Sequence, residues 1–195
     1  MNDTRGHRLS YYIINGITLY RLCATVLLGY LIYRRDLDLF KWFLAFSFFT
    51  DSIDGFLARR FGVVSILGSR LDSVADDLTV VVALIGVFIF RFEFLASYYI
   101  YFLVLLVLYI VQVASALARY GKFTSFHTWS AKFSFLLQGI FLILIFFLPR
   151  PPVALFYVAF VSTAINLVEE IILVYMLPKW RADVRGIFWV RKRNE

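Results

Sequence analysis

Hydrophobic and polar positions alternate in long blocks along this chain of 195 residues. The apolar runs are long enough for helices that cross about 30 Å of hydrocarbon, at about 20 residues each. Short clusters of polar and charged residues separate them. The pattern predicts six transmembrane helices, and their approximate ranges are 16–33, 39–59, 68–90, 95–119, 126–148 and 153–177.

The segment before the first span has a different pattern. Residues 2–14 mix basic side chains with leucine, tyrosine and isoleucine, which is typical of a short helix lying in the headgroup layer. We expect this segment to be retained, because it lacks a compact apolar region followed by a small-residue cleavage site. The predicted fold is therefore an all-α integral membrane protein, with residues 1–195 forming one domain of six transmembrane helices and a short N-terminal interfacial helix.

Composition supports the membrane interpretation. Hydrophobic residues make up 62% of the chain and charged residues 17%, which is too apolar for an ordinary soluble domain. The net charge of +7 comes from basic clusters between apolar spans, so we expect membrane lipid as the partner and no nucleic acid. The single cysteine, Cys23, excludes an internal disulfide and a cysteine zinc cluster, and a packing role is expected for it.

The basic residues also predict the orientation of the chain. They concentrate on the side of the membrane that holds both termini, so the positive-inside rule places both termini in the cytoplasm. We expect a multi-pass protein of a bacterial inner membrane. Its candidate active site, described next, then faces the cytoplasm.

Four aspartates lie where the second and third predicted spans meet. Asp51 and Asp54 are three residues apart, and Asp72 and Asp76 are four apart, so each pair shares one face of its helix. Each aspartate at a helix centre costs about 2.5 to 3.5 kcal/mol on insertion into a membrane, so the four need a compensating interaction.

Converging carboxylates repel one another and favour protonation unless a cation lies among them. Oxygen ligands suit hard divalent ions such as Mg²⁺, Mn²⁺ or Ca²⁺, and four carboxylates suit a two-metal site that binds and activates phosphates. Gly55 and Gly68 remove bulk beside the aspartates, and Arg59 is placed to hold a phosphate. Buried salt bridges to Arg59, Arg60 and Arg70 are the alternative, but they explain neither the glycines nor the spacing.

The full spacing, D-x2-D-G-x2-A-R-x8-G-x3-D-x3-D, resembles the signature of the CDP-alcohol phosphatidyltransferase family. Its eight positions are filled by Asp51, Asp54, Gly55, Ala58, Arg59, Gly68, Asp72 and Asp76. The resemblance implies a six-helix membrane enzyme, commonly a homodimer, that transfers a phosphatidyl group from CDP-diacylglycerol to an alcohol and releases CMP.

The resemblance also implies roles for these residues. The four aspartates would hold two divalent metal ions, Mg²⁺ or Mn²⁺, at the CDP diphosphate, and Asp76 is also the candidate base for the acceptor hydroxyl. Gly55, Ala58 and Gly68 would line the nucleotide pocket.

The entrance of the first span carries Asn15, Thr18 and Arg21, about one turn apart on one helix face. Family members often have a proline before the asparagine, where this chain has Ile14. The loose match makes the three polar residues candidates for the nucleotide side. The alternative for Arg21 is a side chain that only extends to the membrane interface.

A second polar cluster is the candidate acceptor site. Its members are Arg119, Lys122, Thr124, Ser125, His127 and Lys132. Basic and hydroxyl side chains suit the phosphate of an acceptor, although the positive-inside rule alone also explains the charges and His127 also suits a structural role. Glycerol 3-phosphate is the preferred acceptor, because of these charges and because the small size is similar to phosphatidylglycerophosphate synthases. Inositol phosphate, inositol and serine remain alternatives.

Two carboxylates in the sixth span, Glu169 and Glu170, also need partners, and Lys132 is a candidate partner for one of them.

Two other classes of function fit the sequence less well than the transferase. A proton or cation transporter needs polar groups through the bilayer, whereas the third and fifth spans are nearly free of them beyond one end. Intramembrane prenyltransferases have two Asp-rich motifs far apart, whereas this chain has one compact stretch.

Overall fold

The computed structural model describes residues 20, 23–61, 66–121, 126, 128–178, 184, 186–187 and 189–190, and for residues 51–61 and 66–77 only the backbone. All regular structure in the described part of the chain is helical. Six helices are described, with the bounds α1 Cys23–Tyr33, α2 Leu37–Phe61, α3 Ile66–Phe90, α4 Phe92–Tyr120, α5 Trp129–Phe147 and α6 Val153–Met176. The predicted N-terminal interfacial helix lies outside the described residues.

Side-chain caps explain where two of the helices begin. Asp36 Oδ1 accepts a hydrogen bond from Leu39 N at 3.0 Å, so α2 starts two residues earlier than the apolar run predicts. Thr128 is extended, and its hydroxyl accepts from Ala131 N at 3.1 Å. That cap starts α5 at Trp129, three residues later than predicted.

The breaks between helices fall in the gaps between the predicted spans. Only Arg91 separates α3 from α4, and the run 148–152, rich in proline, separates α5 from α6. The turn after α1 places Arg35 at a φ of 54°, in the left-handed region. Tyr98 interrupts the helical dihedral angles inside α4.

The chain divides into two compact units, Met1–Glu93 and Phe94–Glu195. In the first unit, α2 contacts α3, and the buried side chains include Leu28, Phe40 and Val87. The rings of Phe40 and Phe90 lie 5.3 Å apart and fix the end of α3 beside the start of α2.

In the second unit, α5 packs along α6. Aromatic rings fill the end where α4 and α6 begin and α5 ends: Phe156 lies 5.2 Å from Phe94 and 5.5 Å from Phe141, measured between ring centroids. The other end of the unit is different, because buried polar side chains lie there beside a buried apolar cluster: Gln112, Thr128, Ser134, Asn166 and Glu170. That polar end carries the candidate acceptor residues.

Among the described residues, α4, α5 and α6 are the helices long and apolar enough to cross a membrane. Their outer faces are apolar as well, with Leu103, Val107 and Ile110 about half exposed. An apolar surface of this kind suits lipid rather than water. The protein is therefore a membrane protein, and the count of six spans remains a prediction.

Candidate functional site

The aspartate motif lies on two helices that meet at one end. Asp51 and Asp54 belong to α2, and Asp72 and Asp76 belong to α3. Both helices continue through the motif, so each pair shares a helix face, as its spacing predicts. Four residues, 62–65, separate the two helices, which brings the two halves of the motif to the same end of the pair.

The backbone of the other motif positions is helical as well. Gly55, Ala58 and Arg59 lie in the last turns of α2, and Gly68 lies in the first turn of α3. The side chains of residues 51–77 are outside the described part of the chain, so the predicted metal, nucleotide and catalytic roles remain predictions. Asn15, Thr18 and Arg21 also lie outside the described residues.

Ser47 is a buried hydroxyl next to the motif. It precedes Asp51 by one turn of α2, on the same face, and its side chain is 1% exposed. Ser47 Oγ has no hydrogen-bond partner among the described residues. Most serines and threonines buried in helices bond to the carbonyl of the preceding turn, as Ser134 does with Ser130 O at 2.7 Å. Ser47 therefore keeps a donor and acceptor available on the motif face.

Of the candidate acceptor residues, Arg119 and Lys132 are described, whereas Lys122, Thr124, Ser125 and His127 are not. Arg119 is held by the end of α6, because its Nε donates to Leu177 O at 3.3 Å. The hydroxyl of Tyr120 donates toward the same carbonyl at 2.8 Å and lies 3.0 Å from Val174 O. The last carbonyls of α6, which have no partner within their own helix, thus fix the cationic end of α4.

Lys132 lies in the first turn of α5. Its ammonium group is 5.3 Å from the ring centroid of Trp129, which is a cation–π distance, and both side chains are exposed. The suggested pairing of Lys132 with Glu169 or Glu170 is wrong for the described part of the chain, since both glutamates have other partners. The ring of Trp129 lies on the same turn and is the partner that the structure shows for Lys132.

Glu170 is buried between two side-chain amides. Gln112 Nε2 of α4 donates to its Oε2 at 2.9 Å, and Asn166 Nδ2, one turn earlier on α6, donates to its Oε1 at 3.3 Å. All three residues are less than a tenth exposed. The amide donors therefore satisfy both carboxylate oxygens and join α4 to α6.

Glu169 binds two different parts of the chain. One oxygen accepts from the hydroxyl of Ser130 at the start of α5, and the other accepts from Ile187 N at 3.1 Å. Ser130 Oγ also lies 3.1 Å from Asn166 Oδ1 and 2.9 Å from Thr128 Oγ1. These contacts join the two glutamates, through Ser130 and Asn166, into one partly buried polar network.

Sequence reasoning missed Gln112, Asn166 and Ser130 as members of this network. Asn166 had a local signal, because an amide four residues before a membrane glutamate lies on the same helix face. Gln112 had a weaker signal, since it interrupts a long apolar run. The backbone donor of Ile187 carries no signal in the sequence.

Comparison with known families supports the resemblance inferred from the spacing of the motif. The family model described as CDP-alcohol phosphatidyltransferase matches residues 11–174. The match includes the whole aspartate motif and most of the polar network of the second unit. No solved structure matches the chain at a significant level.

Proposed function

Because this chain belongs to the CDP-alcohol phosphatidyltransferase family, and is therefore an enzyme that transfers a phosphatidyl group from a CDP-alcohol, we propose that it makes a phospholipid from CDP-diacylglycerol and glycerol 3-phosphate. The observation that carries the proposal is the complete motif from Asp51 to Asp76 inside the matched region. Inositol phosphate, inositol and serine are the alternative acceptors.

We place the donor at the aspartate motif. Asp51, Asp54, Asp72 and Asp76 would hold two divalent metal ions, Mg²⁺ or Mn²⁺, which when bound neutralise the diphosphate and stabilise the leaving group. The chain fits such ions in its donor chemistry: four carboxylates on two adjoining helices, with the buried hydroxyl of Ser47 one turn away. Gly55, Ala58, Arg59 and Gly68, with Asn15, Thr18 and Arg21, would line the CDP site.

The proposed reaction is one displacement at phosphorus. The acceptor hydroxyl attacks the phosphorus that bears diacylglycerol, a new oxygen–phosphorus bond forms, and the bond to the CMP phosphate breaks. Asp76 accepts the proton of the attacking hydroxyl. CMP leaves with the electron pair of the broken bond, and the carboxylates would hold the divalent ions that neutralise this charge.

We place the acceptor at the polar end of the second unit. Arg119 and Lys132 would bind its phosphate, with Lys122, Thr124 and His127 from the connecting segment. The exposure of Arg119 and Lys132 supports this placement, because an acceptor from solution must reach them. By the positive-inside rule this site faces the cytoplasm, and by family resemblance the enzyme is a homodimer.

CMP release from purified protein tests the proposal. With CDP-diacylglycerol and Mg²⁺ present, we expect release with glycerol 3-phosphate and much less with inositol phosphate, inositol or serine. Chelation of the divalent ion and the substitution Asp72→Asn should each abolish it. The proposed chemistry would be contradicted if none of the four acceptors supported CMP release, or if Asp72→Asn kept full activity. Preference for another acceptor would change only the identity of the acceptor.

A further inference from the structure

We propose that Glu169 is a positioning residue for the acceptor side, which we define by Arg119 and Lys132. It holds these cations in place by joining the start of α5 to the segment that follows α6. The proposal rests on the proposed function, since it assumes that Arg119 and Lys132 bind the acceptor. The observation behind it is that the two oxygens of one carboxylate hold two separate parts of the chain: Ser130 Oγ and Ile187 N.

The contact with Ser130 fixes the first turn of α5. Ser130 lies between Trp129 and the cap-bonded Ala131, and Lys132 follows in the same turn, stacked on Trp129. A rotation of this turn moves the Lys132 ammonium group with it, because a helix turn is held by its backbone hydrogen bonds. Glu169 therefore limits where Lys132 can present its charge.

The contact with Ile187 fixes the segment after α6. Val184, Ile187 and Val190 of this segment pack against a buried cluster that contains Ala116, Phe126, Leu173, Val174 and Leu177. Leu177 is the residue whose carbonyl binds Arg119 and Tyr120. The segment held by Glu169 thus packs against Leu177, whose carbonyl holds Arg119.

Gly186 shows how closely the segment approaches the carboxylate. Its φ is +144°, a backbone conformation that favours glycine, and a Cβ at this position would lie 3.0 Å from Glu169 Oε1. The next residue, Ile187, donates its N–H to the same oxygen. A side chain at 186 would therefore disturb the contact without removing any polar group.

Three substitutions test the proposal by different means. Glu169→Ala removes the carboxylate, Gly186→Ala strains the contact with Ile187, and Ser130→Ala removes the contact with α5. We expect each to raise the KM for the acceptor, by about tenfold for Glu169→Ala, whereas the KM for CDP-diacylglycerol stays within about twofold, as expected for loss of one or two hydrogen bonds. Glu169→Gln, whose amide oxygen can still accept from Ile187 N, should have a smaller effect.

Hydrogen exchange at the Ile187 amide gives a readout that does not depend on activity. Exchange should become faster in Glu169→Ala and Gly186→Ala, and stay unchanged in Ser130→Ala, which keeps the Ile187 contact. Gly29→Ala is the matched control for Gly186→Ala, because a Cβ at Gly29 meets nothing within 4 Å. This control should change neither KM.

The possible outcomes separate this proposal from the proposed function. If wild-type protein releases CMP with none of the acceptors, the proposed function fails, and the positioning role that rests on it fails as well. If wild type is active and Gly186→Ala and Ser130→Ala both keep the wild-type acceptor KM, the positioning role is wrong. An equal rise of both KM values in these two variants, with lower thermal stability, would also overturn it, because a general loss of structure explains that result.

Discussion

Gln112 Nε2 donates a hydrogen bond to Glu170 Oε2 at 2.9 Å, and so connects α4 to α6 within the buried part of the second unit. Asn166 donates to the other oxygen of the same carboxylate at 3.3 Å. A carboxylate in an apolar region is tolerated only when its oxygens have donors, and the two amides are those donors.

Removal of this carboxylate is expected to destabilise the protein. Glu170→Ala leaves the amide groups of Gln112 and Asn166 without their acceptor, at a cost on the order of 1–3 kcal/mol in the free energy of unfolding. Thermal unfolding in detergent measures the change. Val158→Ala, at an exposed position of the same helix, is the control and should stay within about 0.5 kcal/mol of wild type. Equal stability of the two variants would show that the network contributes nothing.

The network also shows what the sequence could and could not predict. The helix bounds were close, because apolar runs and a proline-rich break act over a few residues. The caps at Asp36 and Thr128 account for the shifted starts of α2 and α5. The partners of Glu169 were beyond sequence reasoning, since the Ile187 amide reaches it only when the chain folds back after α6. Helix periodicity alone was enough to predict that each aspartate pair shares one helix face, because each pair lies within one helix.

The cap of α5 predicts a second effect on stability. Thr128 is fully buried, and its hydroxyl accepts from Ala131 N at 3.1 Å. Thr128→Ala removes the cap and should cost about 0.5–2 kcal/mol, while Thr128→Ser keeps the hydroxyl and most of the stability. Chemical unfolding monitored by helix content measures both variants. A serine variant as unstable as the alanine variant would mean that the methyl group, not the hydrogen bond, carries the effect.

The two described cations of the acceptor side predict a change in substrate affinity. Lys132→Met and Arg119→Met should each raise the KM for glycerol 3-phosphate about tenfold or more, because each removes a charge that binds phosphate. The KM for CDP-diacylglycerol should not change. Lys41→Met is the matched control, since Lys41 pairs with Asp38 at 2.5 Å on α2. If all three variants behave alike, the charges at 119 and 132 serve membrane topology only.

Ser47 predicts a change in metal dependence. If its buried hydroxyl bonds to a group of the metal site, Ser47→Ala should raise the Mg²⁺ concentration for half-maximal CMP release several-fold and weaken Mn²⁺ binding measured by calorimetry. Thermal stability should stay equal or rise, because the substitution removes a buried polar atom that has no partner among the described residues. Ser134→Ala is the control: Ser134 is equally buried, but its hydroxyl bonds to Ser130 O at 2.7 Å, and it should lose some stability without any change in metal dependence. An unchanged Mg²⁺ curve together with higher stability in Ser47→Ala would show that Ser47 is only an unsatisfied hydroxyl beside the motif.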